Sequence, residues 1–205
     1  MIATRRNVIA LSAGALLAPI AQAATPAPAP APIKPPLLGD TKAPKRLVMW
    51  GSYTCPFTAL LTFGLRTIVM DMKGKVSVEW RHYPTHAPDP ALHVAGLGFQ
   101  GDHFWGFTLK VLAEVYKANG AFAGLTQAKL AEFAKAEGGS AKTLQDAYAD
   151  RAKWAAVKQD LMAGKLLGVT RTPGLFYNGY FLTPNGIPQD LKAFDKSLRE
   201  MLTHG

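Results

Sequence analysis

Cysteine is nearly absent from the sequence. Cys55 is the only one in 205 residues, so no disulfide within the chain can staple the fold. It is either a buried small residue or a thiol for chemistry with another molecule. Acids are scarce too, with 14 against 23 basic residues and a formal net charge of +9. The lysines are spread along the chain and interleaved with acids, which reads as a solvated surface with some attraction to anionic partners. No basic cluster interleaved with aromatics appears, so a nucleic-acid partner is not expected. No run of 18 apolar residues appears, so the mature part is not expected to span a membrane. His82, His86 and His93 are close in sequence, but prolines separate them and their spacing matches no metal site. No metal or cofactor is expected. Hydrophobic residues make up 48%, enough for a packed core in one domain plus a tail.

The first residues do not belong to that core. Met1–Asn7 carries Arg5 and Arg6 and no acid, Val8–Ala18 is a short apolar run, and Ala21-Gln22-Ala23 has the small-x-small form of a cleavage site. Residues 1–23 therefore read as a secretory signal peptide, with an uncleaved amphipathic anchor as the alternative. Thr4–Ile9 also fits a twin-arginine signal, so export by the Sec or the twin-arginine route and a periplasmic location are expected. Ala24–Pro36 alternates Pro and Ala; it is a spacer that favours extended polyproline and builds no core. The folded domain is expected over residues 37–205.

Within it, Arg46–Trp50 reads as a buried strand and Gly51–Thr54 as a loop. Pro56 opens a helix to about Met72, since Pro is favoured at the first helical position. Val76–Trp80 alternates as a second strand, which Pro84, Pro88 and Pro90 end. Four helical segments are expected next: Ala91–Gln100, Asp102–Lys117, Gln127–Ala136 and Ala141–Leu166, with Asp102, Thr126 and Ser140 as candidate caps. Phe104, Trp105 and Phe107 read as core and groove-lining residues. Pro173–Tyr177 and Tyr180–Thr183 form a hairpin through Asn178-Gly179. Asp190–Leu202 closes the chain as an amphipathic helix. A sheet with a helical insertion after the second strand, about residues 89–167, is the economical α/β arrangement.

Cys55 falls between a strand and a helix. A helix N-terminus presents unpaired N–H groups and a partial positive charge. Both favour thiolate over thiol, which is how such cysteines become reactive. The competing reading is a small residue filling space at a helix start.

Five segments stand out: Gly39-Asp40 with Ala43-Pro44; Tyr53-Thr54-Cys55-Pro56-Phe57; Arg81-His82-Tyr83-Pro84; Asp102-His103-Phe104-Trp105; and Gly168-Val169-Thr170-Arg171-Thr172-Pro173 followed by Asn178-Gly179. In this order they resemble DsbA-like periplasmic thiol–disulfide oxidoreductases of thioredoxin fold. The resemblance runs from about Leu37 to the C-terminus and implies a thioredoxin-like domain. It makes Cys55, Pro56, Phe57 and Thr58 the active-site motif. It also implies a cis peptide between Thr172 and Pro173 in a substrate-binding loop facing Cys55. Arg171 is then either a positive charge near the sulfur or a solvated surface arginine.

The sequence departs from the family at Thr58, which stands where the second cysteine of the Cys-x-x-Cys pair belongs. Its hydroxyl either donates to the Cys55 thiolate or only fills the space. Without the partner thiol, Cys55 cannot close an internal disulfide. It can still exchange with disulfides on periplasmic proteins or on a small thiol such as glutathione. The alternative is a redox-inactive peptide-binding or chaperone module that kept the groove.

Overall fold

The computed structural model describes residues 32–204. The leader assigned to residues 1–23 and residues 24–31 of the spacer lie outside the described residues.

Five strands form one sheet in the order β1-β3-β2-β4-β5. At its centre, β2 (Lys45–Gly51) runs parallel to β3 (Val76–His82) and antiparallel to β4 (Gly174–Tyr177). The side chains alternate as a pleated strand requires. Leu47 and Met49 on β2 join Val76, Val78 and Trp80 on β3 in the main core. Helix α1 (Pro56–Asp71) makes the β2–β3 crossover and buries Ala59, Leu61, Leu65, Ile68 and Val69. Each of the four larger side chains contributes roughly 1.5–3 kcal/mol by leaving water.

Strand β1 (Leu37–Gly39) pairs antiparallel with β3. It was not expected from the sequence: three residues are too few to show a period. Gly39, at φ +93°, ends it where a Cβ would lie 2.9 Å from the Val76 carbonyl.

Five helices separate β3 from β4: α2 (Asp89–Gly96), α3 (Gly101–Lys117), α4 (Gln127–Ala136), α5 (Ala141–Ala149) and α6 (Arg151–Leu166). Thr126 and Ser140 cap α4 and α5 through their side-chain oxygens. Asp102 is not a cap. Gln100 holds the N-cap position of α3, and Asp102 lies in the first turn, where a carboxylate favours the helix dipole. The single helix expected over Ala141–Leu166 is two. Asp150 leaves helical geometry at ψ 103°, and its carboxylate accepts from the Ala152 amide at 2.8 Å, ending α5 and starting α6. Phe104, Trp105 and Phe107 are all buried in the core.

Strand β4 turns into β5 (Tyr180–Phe181) through Asn178 and Gly179, both at positive φ, as a tight hairpin turn demands. Helix α7 (Leu191–His204) returns Leu198 and Leu202 to the core beside α1. Among the described residues no helix is long and apolar enough to cross a membrane.

Candidate functional site

Cys55 is the N-cap residue of α1. It is extended, half-buried, and has no side-chain cap bond of its own. Pro56 occupies the first helical position, and no acid lies in the first turn. The helix therefore offers its free end to the sulfur with nothing negative in between. The loop is tight, with the Cys55 amide donating to the Ser52 carbonyl at 3.3 Å and the Ala59 amide to the Cys55 carbonyl at 3.2 Å. Gly120, after α3, packs its backbone on Pro56, where a Cβ would come within 3.3 Å of the proline ring.

Opposite the sulfur is the loop between α6 and β4. The Thr172–Pro173 peptide is cis. Cys55 Sγ lies 3.3 Å from the Thr172 carbonyl oxygen and donates to it as a thiol. Thr183 braces this loop. Its hydroxyl donates to the Pro173 carbonyl and accepts from the Leu175 amide, both at 2.9 Å. Beside it is a groove of about 680 Å³ lined in part by Phe57, Leu60, Arg171, Thr172, Ile187 and Leu191. Phe57, on α1, is 59% exposed. Arg171 is exposed and leans over Gly186, donating to the Asn185 carbonyl at 3.2 Å.

Thr58 is fully buried, and its Oγ1 accepts from the Ser52 amide at 3.3 Å. Among the described residues no hydrogen bond joins it to Cys55. The hydroxyl serves the loop that precedes the cysteine.

Behind the loop is a buried polar layer that the sequence did not suggest. Asp89, at the start of α2, accepts from the Ser52 hydroxyl at 2.6 Å and from the Tyr53 and Thr85 amides at 2.9 Å each. Burial raises its carboxyl above the usual range, and these three donors pull back against that. His93, one turn along α2, is 3.4 Å from Asp89 Oδ1. The contact is not an ion pair, because burial pushes the imidazole down to about 3. His93 Nδ1 meets His82 Nδ1 at 2.8 Å, and Trp80 Nε1 donates to the same His82 nitrogen at 3.2 Å. Burial, then the neighbouring His93 and Arg81, hold His82 well below its ordinary value. Tyr53, whose phenol is raised by burial, shares a 2.7 Å hydrogen bond with Thr108. Of the three histidines close in sequence, His82 and His93 form a buried pair, while His86 is exposed and reaches Thr54 Oγ1 at 2.9 Å. Among the described residues no group of three or more candidate ligands could hold a metal.

The chain matches the family described as Thioredoxin over residues 32–197. No curated protein matches it. Among solved structures it resembles ScsC of Proteus mirabilis at 17% identity, covering 83% of this chain and 74% of that one, with a TM-score of 0.65. It resembles alpha-DsbA1 of Wolbachia pipientis at 18%, covering 82% and 90%, with a TM-score of 0.64. A periplasmic thioredoxin-like protein of Salmonella enterica serovar Typhimurium gives 20%, 82% and 90%, with a TM-score of 0.64. At these identities the likeness is one of fold: a thioredoxin-like sheet carrying a helical insertion, as the DsbA-like resemblance implied.

Proposed function

We infer that this chain, which belongs to the thioredoxin family, performs thiol–disulfide exchange through one sulfur, Cys55. The observation that supports this best is the placement of Cys55, part-exposed, as the N-cap residue of α1 with no acid in the first turn. The Cys55 thiolate attacks one sulfur of a disulfide. A new S–S bond forms to Cys55, the old one breaks, and the other sulfur leaves as a thiolate. An external thiolate, such as glutathione, then attacks the mixed disulfide and restores Cys55. No electrons are gained or lost over the cycle, so the chemistry is isomerase-like and not net oxidation. Protein thiols and disulfides are the substrate class. The groove beside Phe57 and Thr172 gives an extended segment room next to the sulfur.

The charged and apolar regions of residues 1–23 support export to the periplasm, with a mature N-terminus near Ala24. N-terminal sequencing of protein recovered from the cell envelope checks this; an intact Met1 found only in the cytoplasm contradicts it.

The exchange reading is tested by incubating the protein with a disulfide-linked peptide pair and reduced glutathione. Exchange should be catalytic, pass through a Cys55 adduct visible by mass, and vanish in Cys55→Ala. One observation favours a second reading, a peptide-binding module without turnover: buried Thr58 occupies the second cysteine's position. That reading holds if the peptide binds equally well to parent and Cys55→Ala proteins and no adduct forms.

A further inference from the structure

The hydrogen-bond pattern around the buried histidines points to one placement of their protons, with Trp80 and His93 sharing the lone pair of His82 Nδ1. An indole N–H can only donate. Trp80 Nε1 points at His82 Nδ1 at 3.2 Å, so that nitrogen carries a lone pair and no proton. The 2.8 Å contact between His82 Nδ1 and His93 Nδ1 then needs its proton on His93 Nδ1. A neutral His93 so protonated has a bare lone pair at Nε2. That atom is buried without a hydrogen bond, and Asp89 Oδ1 stands 3.4 Å from it, both side chains being 0% exposed. A lone pair facing a carboxylate oxygen away from water is doubly unfavourable. One proton between them removes the conflict.

We propose that Asp89 is the positioning residue of the Cys55 loop and acts as a carboxylic acid, donating its proton to His93 Nε2 while its oxygens accept from Ser52, Tyr53 and Thr85. The proposal rests on the reading of Cys55 as the exchanging thiol. Three of those bonds hold residues at or beside the loop: Ser52 Oγ to Oδ2 at 2.6 Å, the Tyr53 amide to Oδ1 at 2.9 Å and the Thr85 amide to Oδ2 at 2.9 Å. Ser52 in turn accepts the Cys55 amide and donates its own amide to Thr58. The active-site turn is therefore anchored to α2, in the helical insertion, through one side chain. Burial raises Asp89 and lowers His93, which puts the proton on the same side as the geometry does. The other titratable groups around the pair are Tyr53 and His82, with Arg81 and Asp160 behind His82 and exposed His86 beyond the Ser52 and Thr54 hydroxyls.

The test compares Asp89→Asn with Asp89→Ala. Asparagine keeps an acceptor for Ser52 and Thr85 and an N–H donor for His93, but sets that donor against the Tyr53 amide, which loses its acceptor. Alanine loses everything. The readout is the rate of Cys55 alkylation by iodoacetamide at neutral pH, which needs no exchange activity. The expected result is a change of about tenfold in Asp89→Ala and of threefold or less in Asp89→Asn, the scale of losing several buried hydrogen bonds against one. Ser52→Ala, a smaller perturbation, should change the rate in the same direction as Asp89→Ala and serves if alanine at 89 prevents folding. In the parent, nitrogen-15 NMR should show His93 protonated at Nδ1 and bare at Nε2. An Asp89→Ala rate equal to the parent's overturns the positioning role. So does an unchanged Ser52→Ala rate where the alanine at 89 does not fold. Asparagine as damaging as alanine, or an imidazolium or Nε2–H tautomer at His93, overturns the acid form. Failure of exchange itself appears elsewhere, as a parent protein that is alkylated normally but forms no adduct with a disulfide.

Discussion

Replacing Thr58 with cysteine asks whether the scaffold still has the geometry of a paired redox motif. Thr58 is fully buried one turn along α1 from Cys55, and its hydroxyl accepts the Ser52 amide at 3.3 Å. A thiol is a weak acceptor, so the reduced variant loses most of a long neutral hydrogen bond, about 1 kcal/mol. For a domain of this size that lowers Tm by about 2–4 °C. The main chain is untouched, since Thr62 Oγ1 donates to the Thr58 carbonyl, an interaction that any side chain at 58 permits. Closing the ring over residues 55–58 constrains the unfolded chain by about 2 kcal/mol in the chain-entropy account. The helix N-terminus stabilises the reduced thiolate and works against that gain, so the oxidised variant should melt within a few degrees of the reduced one and not well above it. The helix N-terminus favours the Cys55 thiolate over the disulfide, so the restored pair should pass its disulfide to a reduced test peptide. The parent has no internal disulfide and should oxidise nothing. The assays are melting with and without reductant, thiol counting, and disulfide formation in the peptide, with Cys55→Ala as control. Two free thiols that never pair under oxidant refute the geometry. A pair that forms but transfers nothing refutes the exchange reading in favour of the binding module.

Phe57→Ala should leave stability within about 0.5 kcal/mol, because the ring is largely exposed, while weakening binding of an extended peptide; equal peptide affinity in titration calorimetry would remove Phe57 from the groove. His82 and His93 are held neutral in the fold and ionise in the unfolded chain, so their contribution is present above about pH 6.5 and is lost as pH falls. Urea melts should lose up to about 2 kcal/mol per histidine between pH 7 and pH 5, partly offset by the raised Asp89, and a flat profile contradicts the buried pair. Leu65→Ala, at a fully buried position on α1, should cost about 2–5 kcal/mol by denaturant unfolding, and a loss below 1 kcal/mol contradicts the packing of α1 on the sheet.

The elements that were legible in the sequence are those whose signal is local. Alternation over Val76–Trp80, Pro56 at a helix start, Ser140 and Thr126 as caps, and Asn178-Gly179 between apolar pairs each carry their structure in a few neighbouring residues. Strand β1 was hidden because it exists only through its pairing with β3. The break at Asp150 was hidden because the flanking residues are good helix formers and its cap bond to Ala152 forms only once the turn is made. At the site, Cys55 and the loop ending in Pro173 stood out by position and by resemblance. Asp89 and the His82–His93 pair did not. They come from different elements, and prolines between them conceal a proximity that only the packing of α2 on β3 creates. Thr183 was likewise silent, since its role is to hold a backbone ten residues earlier.

The most direct measurement is the rate at which Cys55 forms a mixed disulfide with oxidised glutathione, folded against urea-unfolded, at the same pH. Exchange at Cys55 predicts a folded protein that forms the adduct faster than the unfolded one and gives it up to added thiol. A folded rate equal to or below the unfolded one, or an adduct that no thiol releases, would contradict exchange at Cys55.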